Sequence, residues 1–137
     1  MKDTNFIVTI EKDKDGTFIA YNVDESPYTL IGRGATVKEA KADFENSMLE
    51  VKESEEEREG AAAPILFAAP AFRFDLSSLF EYYSMLNVSA FARYLGINET
   101  LMRQYKKGNT YISDVQLQKI ENGLHRLGAD FLGLRLV

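Results

Sequence analysis

Residues 87–108 read NVSAFARYLGINETLMRQYKKG, and their spacing decides the fold of the chain's second half. Asn87 can cap a helix, with Phe91 and Leu95 on its buried side. Ala92 is small enough to sit where two helices cross, and Gly96, four residues on, can take the positive φ that ends a helix. Ile97 turns inward, Asn98 caps the next helix, and Met102 and Tyr105 are its buried positions. A helix-turn-helix therefore runs through this stretch, its second helix directing Glu99, Thr100, Arg103, Gln104, Lys106 and Lys107 outward. Arg can grip guanine O6 and N7 with two hydrogen bonds, and Gln can do the same to adenine. Thr reaches a phosphate or a thymine methyl. Lys106, Lys107 and Asn109 lie at the far end, where phosphates are expected. Glu99 either accepts from a cytosine amine or repels wrong sites. The expected DNA-contacting set is Asn98, Glu99, Thr100, Arg103, Gln104, Lys106, Lys107 and Asn109. A plain helical hairpin shares the spacing, but not the basic, Gln-bearing outer face.

Beyond this stretch the pattern stays helical. Ser113 can cap a helix over 114–127 that carries Val115, Leu117, Ile120, Leu124 and Leu127 inside, and 77–86 reads as a further helix. The apolar end, Phe131, Leu132, Leu134, Leu136 and Val137, is expected to form a short strand that pairs with something, a second protomer among the candidates.

Toward the N-terminus the period changes from helical to two. Phe6, Val8 and Ile10 alternate with Ile7, Thr9 and Glu11. Lys12 to Gly16 make a turn, and 17–23 form the returning strand. A turn over Asp24 to Pro27 leads to a third strand, Tyr28 to Ile31, which Gly32 and Gly34 should end. Thr36 and Glu39 make a capping box for a helix with Val37, Ala40, Phe44, Met48 and Val51 on one face. The acidic run Glu53 to Glu59 opposes the helix dipole, so fraying is expected there, followed by a flexible joint at Gly60 to Ala63. Ile65 to Phe67 and then Phe72 and Phe74 read as strand, at a sheet edge or bulged because of Pro70.

The fold class is therefore α+β. A β-β-β-α-β domain spans 1–76, and an all-α helix-turn-helix domain spans 77–137. The net charge of −5 is unevenly divided. Residues 1–76 hold nine Lys/Arg against sixteen Asp/Glu, and 77–137 hold seven against five. Such asymmetry suits two modules with different partners, a basic protein for the first and nucleic acid for the second. It also suits a front half that is acidic only for solubility.

The second half resembles the Cro/C1-type repressor helix-turn-helix, through Ala92, Leu95-Gly96-Ile97, Met102, Tyr105 and the Lys107-Gly108 closure. That resemblance implies a recognition helix in the major groove and dimers reading half-sites roughly 34 Å apart. The front half, with Tyr28-Thr29-Leu30-Ile31-Gly32-Arg33-Gly34-Ala35-Thr36 leading into Lys38-Glu39-Ala40, resembles the HicB antitoxin domain. This second resemblance implies a partial RNase H-like fold, neutralisation of a small mRNA-cleaving HicA toxin, and autorepression by operator binding. The alternative is a DNA-binding regulator whose front domain binds a small ligand or only oligomerises.

Other chemistry finds little footing. With no cysteine and one histidine, His125, neither a disulfide nor a zinc cluster is expected. Glu11, Asp13, Asp15 and Asp24 could only form a nuclease centre by converging, and turn chemistry explains them more simply. Gly32-Arg33-Gly34 is a lone Gly-x-Gly, read as a strand end. The aromatics Phe72, Phe74, Phe80, Tyr82 and Tyr83 could stack bases, but packing is the commoner use. Neither a catalytic site, a metal nor a cofactor is expected. No stretch reads as a signal peptide or membrane span, so a soluble cytoplasmic protein is expected. Because the outer face of the second helix is only modestly basic, one copy should bind weakly, and a homodimer or higher homo-oligomer is expected.

Overall fold

The computed structural model describes residues 6–22, 28–59, 70–108 and 110–137, with the backbone alone at 57–59. The chain divides into two compact units, Met1–Ser84 and Met85–Val137. It is α+β, with one four-stranded mixed sheet and five helices among the described residues.

In the first unit β1 (Phe6–Lys12) pairs antiparallel with β2 (Phe18–Asn22), and β2 with β3 (Ile31–Gly34). β4 (Pro70–Phe74) joins β1 in parallel, giving the order β3-β2-β1-β4. Pro70 opens an edge strand, where its missing N–H costs no ladder bond. The β1–β2 turn places Gly16 at φ 86°, and Asp15 accepts from the Thr17 amide at 3.0 Å. That carboxyl titrates below its ordinary value, chiefly because the Thr17 hydroxyl donates to it.

α1 (Val37–Glu59) covers one face of the sheet. Phe6, Val8, Ile10, Phe18 and Ala20 meet Val37, Ala40 and Phe44 in the core, with Met48 and Val51 packed against its edge. The capping box forms: Thr36 Oγ1 accepts from the Glu39 amide at 3.1 Å, and Glu39 reaches back to the Ala35 amide at 2.8 Å. Asn22 ties down the approach to β3, donating to Tyr28 O at 2.9 Å and accepting from the Leu30 amide at 2.8 Å.

Several expectations need correction. Tyr28 lies before the third strand, and Gly32 and Gly34 lie within it. A Cβ on Gly32 would stand 2.3 Å from the Phe44 nitrogen, so these glycines bring β3 against α1 and do not end the strand. α1 runs through the acidic run to Glu59, with Glu55 buried. An unfavourable dipole term of about 0.3–1 kcal/mol is too small to stop a helix that Val51 still anchors. α2 (Leu76–Tyr82), which periodicity groups with the later helices and extends to Leu86, ends at Tyr82 and packs on the sheet unit. Asp75 sets it there, accepting from the Ser78 amide at 2.8 Å and the Lys12 amide at 3.0 Å. Glu81 of α2 in turn accepts from the Val37 amide at 3.0 Å, at the start of α1. The turn at 24–27, the joint at 60–63 and the strand at 65–67 lie outside the described residues.

The second unit holds α3 (Val88–Leu95), α4 (Glu99–Lys107) and α5 (Asp114–Gly133). Phe91, Ala92, Leu95, Ile97, Met102, Tyr105 and Ile120 are its buried apolar residues. α5 is longer than its expected 114–127, and its inner face is narrower. Val115 is 81% exposed and Leu117 41%, because the 3.6-residue period through Ile120 and Gly123 leaves both off the inward side. The apolar end is not strand: Phe131 and Leu132 continue α5, and 134–137 are irregular.

Candidate nucleic-acid interface

Three side-chain caps hold the helical frame. Asn87 accepts from the Ala90 amide at 2.9 Å, Asn98 from Leu101 at 3.0 Å, and Ser113 from Gln116 at 3.1 Å. Gly96 takes φ 72° and Ile97 donates to Ala92 O at 2.9 Å, so α3 ends abruptly and Ile97 turns into the core. Ala92 and Met102 are fully buried. A Cβ on Gly123 would come within 1.9 Å of Leu95 Cδ2, so α5 lies close against α3. Lys119 Nζ reaches Gly96 O at 3.5 Å beside the turn. Removing the Asn98 cap tests how far α4 depends on this frame. Asn98→Ala should cost about 1 kcal/mol in chemical denaturation, and no loss would assign the capping to other groups.

The outer side of α4 exposes Thr100, Arg103, Gln104, Lys106 and Lys107. Arg103 is held in place: Nη1 donates to Ser89 Oγ of α3 at 2.8 Å, and Nη2 to Thr100 Oγ1 at 3.1 Å. Glu99 is half-buried and ion-paired with Arg93 of α3, which neutralises the one acidic group on this side of the helix. Asn98 Oδ1 is engaged in capping. Lys106 and Lys107 lie in the last turn, where cations favour the helix dipole, and Gly108 closes it at φ 85°. Asn109 lies outside the described residues. Sequence reasoning missed Ser89 and Arg93, which lie on the first helix of the motif. The signal available was their polarity on α3 beside an otherwise apolar stripe.

On its other side α3 pairs with α5. Arg126 lies over the Tyr94 ring at 5.3 Å and donates from Nε to the Tyr94 hydroxyl at 3.2 Å, a contact that raises the guanidinium pKa further.

The remaining candidates have structural partners. Glu11 accepts from the Tyr21 hydroxyl at 2.8 Å, and Asp13 pairs with Arg33 at 3.2 Å. Asp24 lies outside the described residues. Among the described residues no three His, Asp or Glu side chains group as metal ligands. His125 is exposed. Phe74, Tyr82 and Tyr83 pack on one another, and Lys41 Nζ sits 4.1 Å from the Phe72 ring centre and 4.5 Å from that of Tyr82. No described helix is long and apolar enough to cross a membrane. No family model, curated protein or solved structure matches the chain.

Proposed function

We propose that the second unit binds double-stranded DNA by laying α4 in the major groove, and that the chain acts as a transcriptional repressor. One observation carries the reading. Arg103 is presented on the exposed side of α4 by Ser89 and Thr100, with Gln104 beside it and Lys106 and Lys107 beyond. A guanidinium already fixed by two hydroxyls loses less conformational freedom when it docks on a guanine edge. Arg93 masks Glu99, so the acid does not oppose the phosphates.

The first unit is read as the partner-binding module, after the manner of a HicB antitoxin covering a small basic toxin. Its support is the acidic excess of residues 1–76 and the β-β-β-α-β order. The chain itself performs no reaction in this reading. Residues 1–76 binding a small ligand is the second reading, and it predicts no protein partner.

DNA binding is tested by selecting a preferred duplex from a random pool with the full chain. Arg103→Ala and Gln104→Ala should each weaken the selected site by about 1–3 kcal/mol and relax the preference at one base pair. Lys106→Ala and Lys107→Ala should weaken all duplexes alike and lower the salt slope by about 1 each. If all four variants bind as the parent does, α4 is not the recognition helix. Co-purification with the product of a short adjacent reading frame, lost on reversing acidic residues of the first unit, supports the antitoxin reading. Absence of a stable complex between the two purified chains removes it.

A further inference from the structure

Glu99 and Arg103 stand four residues apart on α4, with the acid toward the N-terminus. That is the spacing and order in which a helix pairs an acid with a cation, their Cβ atoms roughly 5–6 Å apart. The pair does not form. Glu99 is drawn instead to Arg93 Nη1 of α3, and Arg103 turns to two neutral hydroxyls, Ser89 Oγ at 2.8 Å and Thr100 Oγ1 at 3.1 Å.

The difference matters for a guanidinium that must read a base. A carboxylate holds its donors in charge-assisted bonds about twice as strong as those of a hydroxyl, and it takes the same two-pronged approach of a guanidinium that guanine O6 and N7 take. Paired with Glu99, Arg103 would have to break that pair before reaching a base edge. Held by hydroxyls, it keeps its orientation and gives up little on transfer. Which of the two states holds is decided on α3, where the exposed Arg93 offers Glu99 a second cation.

We propose that Arg93 is a positioning residue for base recognition: by engaging Glu99 it keeps the Arg103 guanidinium off the acid and available to guanine. This role is distinct from shielding phosphates from Glu99, and it rests on the DNA-binding reading of α4. The two roles differ in what they predict. Loss of shielding alone puts one more negative charge at the interface and weakens every duplex alike. Capture of Arg103 removes a base contact, so it flattens the preference at the one base pair that Arg103 reads.

The full chain and its selected duplex supply the test, with the base pair read by Arg103 identified from Arg103→Ala. Arg93→Ala should weaken the selected duplex roughly fivefold, the upper range for loss of an exposed ion pair, and flatten the preference at that base pair. Adding Glu99→Gln should restore the preference and most of the affinity, because the amide does not compete for Arg103. Arg93→Lys should keep both, since an ammonium still holds the acid. The thermal midpoint should stay near that of the parent in every variant. Arginine side-chain NMR without DNA gives a second readout: the Arg103 Nε–Hε resonance should shift in Arg93→Ala and return in the double variant. If Arg93→Ala weakens all duplexes equally and spares the preference at that base pair, shielding alone operates and the proposal is overturned. If Glu99→Gln fails to restore a flattened preference, Arg93 acts on DNA by itself, which overturns it too. If the parent prefers no duplex, the DNA-binding reading fails, and the Arg103 resonance still decides whether Arg93 governs that side chain.

Discussion

Replacing Gly32 with alanine should destabilise the first unit by about 3 kcal/mol or more, at the upper end of overpacking effects. The added Cβ would lie 2.3 Å from the Phe44 nitrogen, 2.4 Å from the Ala40 oxygen and 2.7 Å from the Phe44 Cα. These are backbone atoms of α1 and cannot rotate aside as a side-chain terminus could. Relief requires α1 to lift from β3, and that pulls Ala40 and Phe44, both fully buried, out of contact with the sheet. Gly133→Ala is the control. Its Cβ meets nothing within 4 Å, and alanine should be neutral or favour the helix by up to about 1 kcal/mol. Hydrogen exchange read element by element should show protection falling in β1–β4 and α1 for Gly32→Ala, with α3–α5 unchanged. A loss below about 0.5 kcal/mol would mean that α1 and β3 are not in the close contact described.

Gly32 also marks where sequence reasoning stopped working. A glycine after an apolar run reads as punctuation, because positive φ and turn formation are its commonest uses. Its other use, near approach of two backbones, depends on which helix crosses which strand, and no local pattern carries that. Gly123 under Leu95 is the same case in the second unit. By contrast the three caps of α3, α4 and α5 were legible, since Asn87, Asn98 and Ser113 act on amides three residues away. Gly96 and Gly108 were legible for the same reason, each closing its helix in a left-handed conformation. On α5 the apolar residues are spread over more of the helix than its own unit buries. Periodicity could not tell the side that meets Ile120's neighbours from the side that carries Leu117 and Leu132. At the candidate interface, the outward residues of α4 followed from the helical period. The clamp on Arg103 and the mask on Glu99 did not, because Ser89 and Arg93 reach them across the crossing of two helices.

Met102→Ala should cost the second unit about 2–5 kcal/mol, the range for a fully buried methionine whose space does not refill. Met102 sits on the inner side of α4, and few other large side chains fill this small core, so relaxation has little to draw on. Such a loss is comparable to the whole stability of a unit this size, and most molecules should be unfolded in α3–α5 at 37 °C. Met102→Leu conserves volume and should cost less than about 1.5 kcal/mol. The pair of variants separates scaffold from contact. Arg103→Ala removes an exposed group and should leave the denaturation midpoint of the second unit nearly unchanged while weakening DNA. Met102→Ala should lower the midpoint strongly, yet bind the selected duplex with near-parental affinity in the cold, where the folded fraction is restored and α4 presents the same outer face. Fluorescence anisotropy at 5 °C and 37 °C, with the folded fraction measured by circular dichroism at each, resolves the two. If Met102→Ala binds poorly even where it is fully folded, the outer face of α4 is not independent of its inner packing, and the recognition surface must include groups beyond Arg103, Gln104, Lys106 and Lys107.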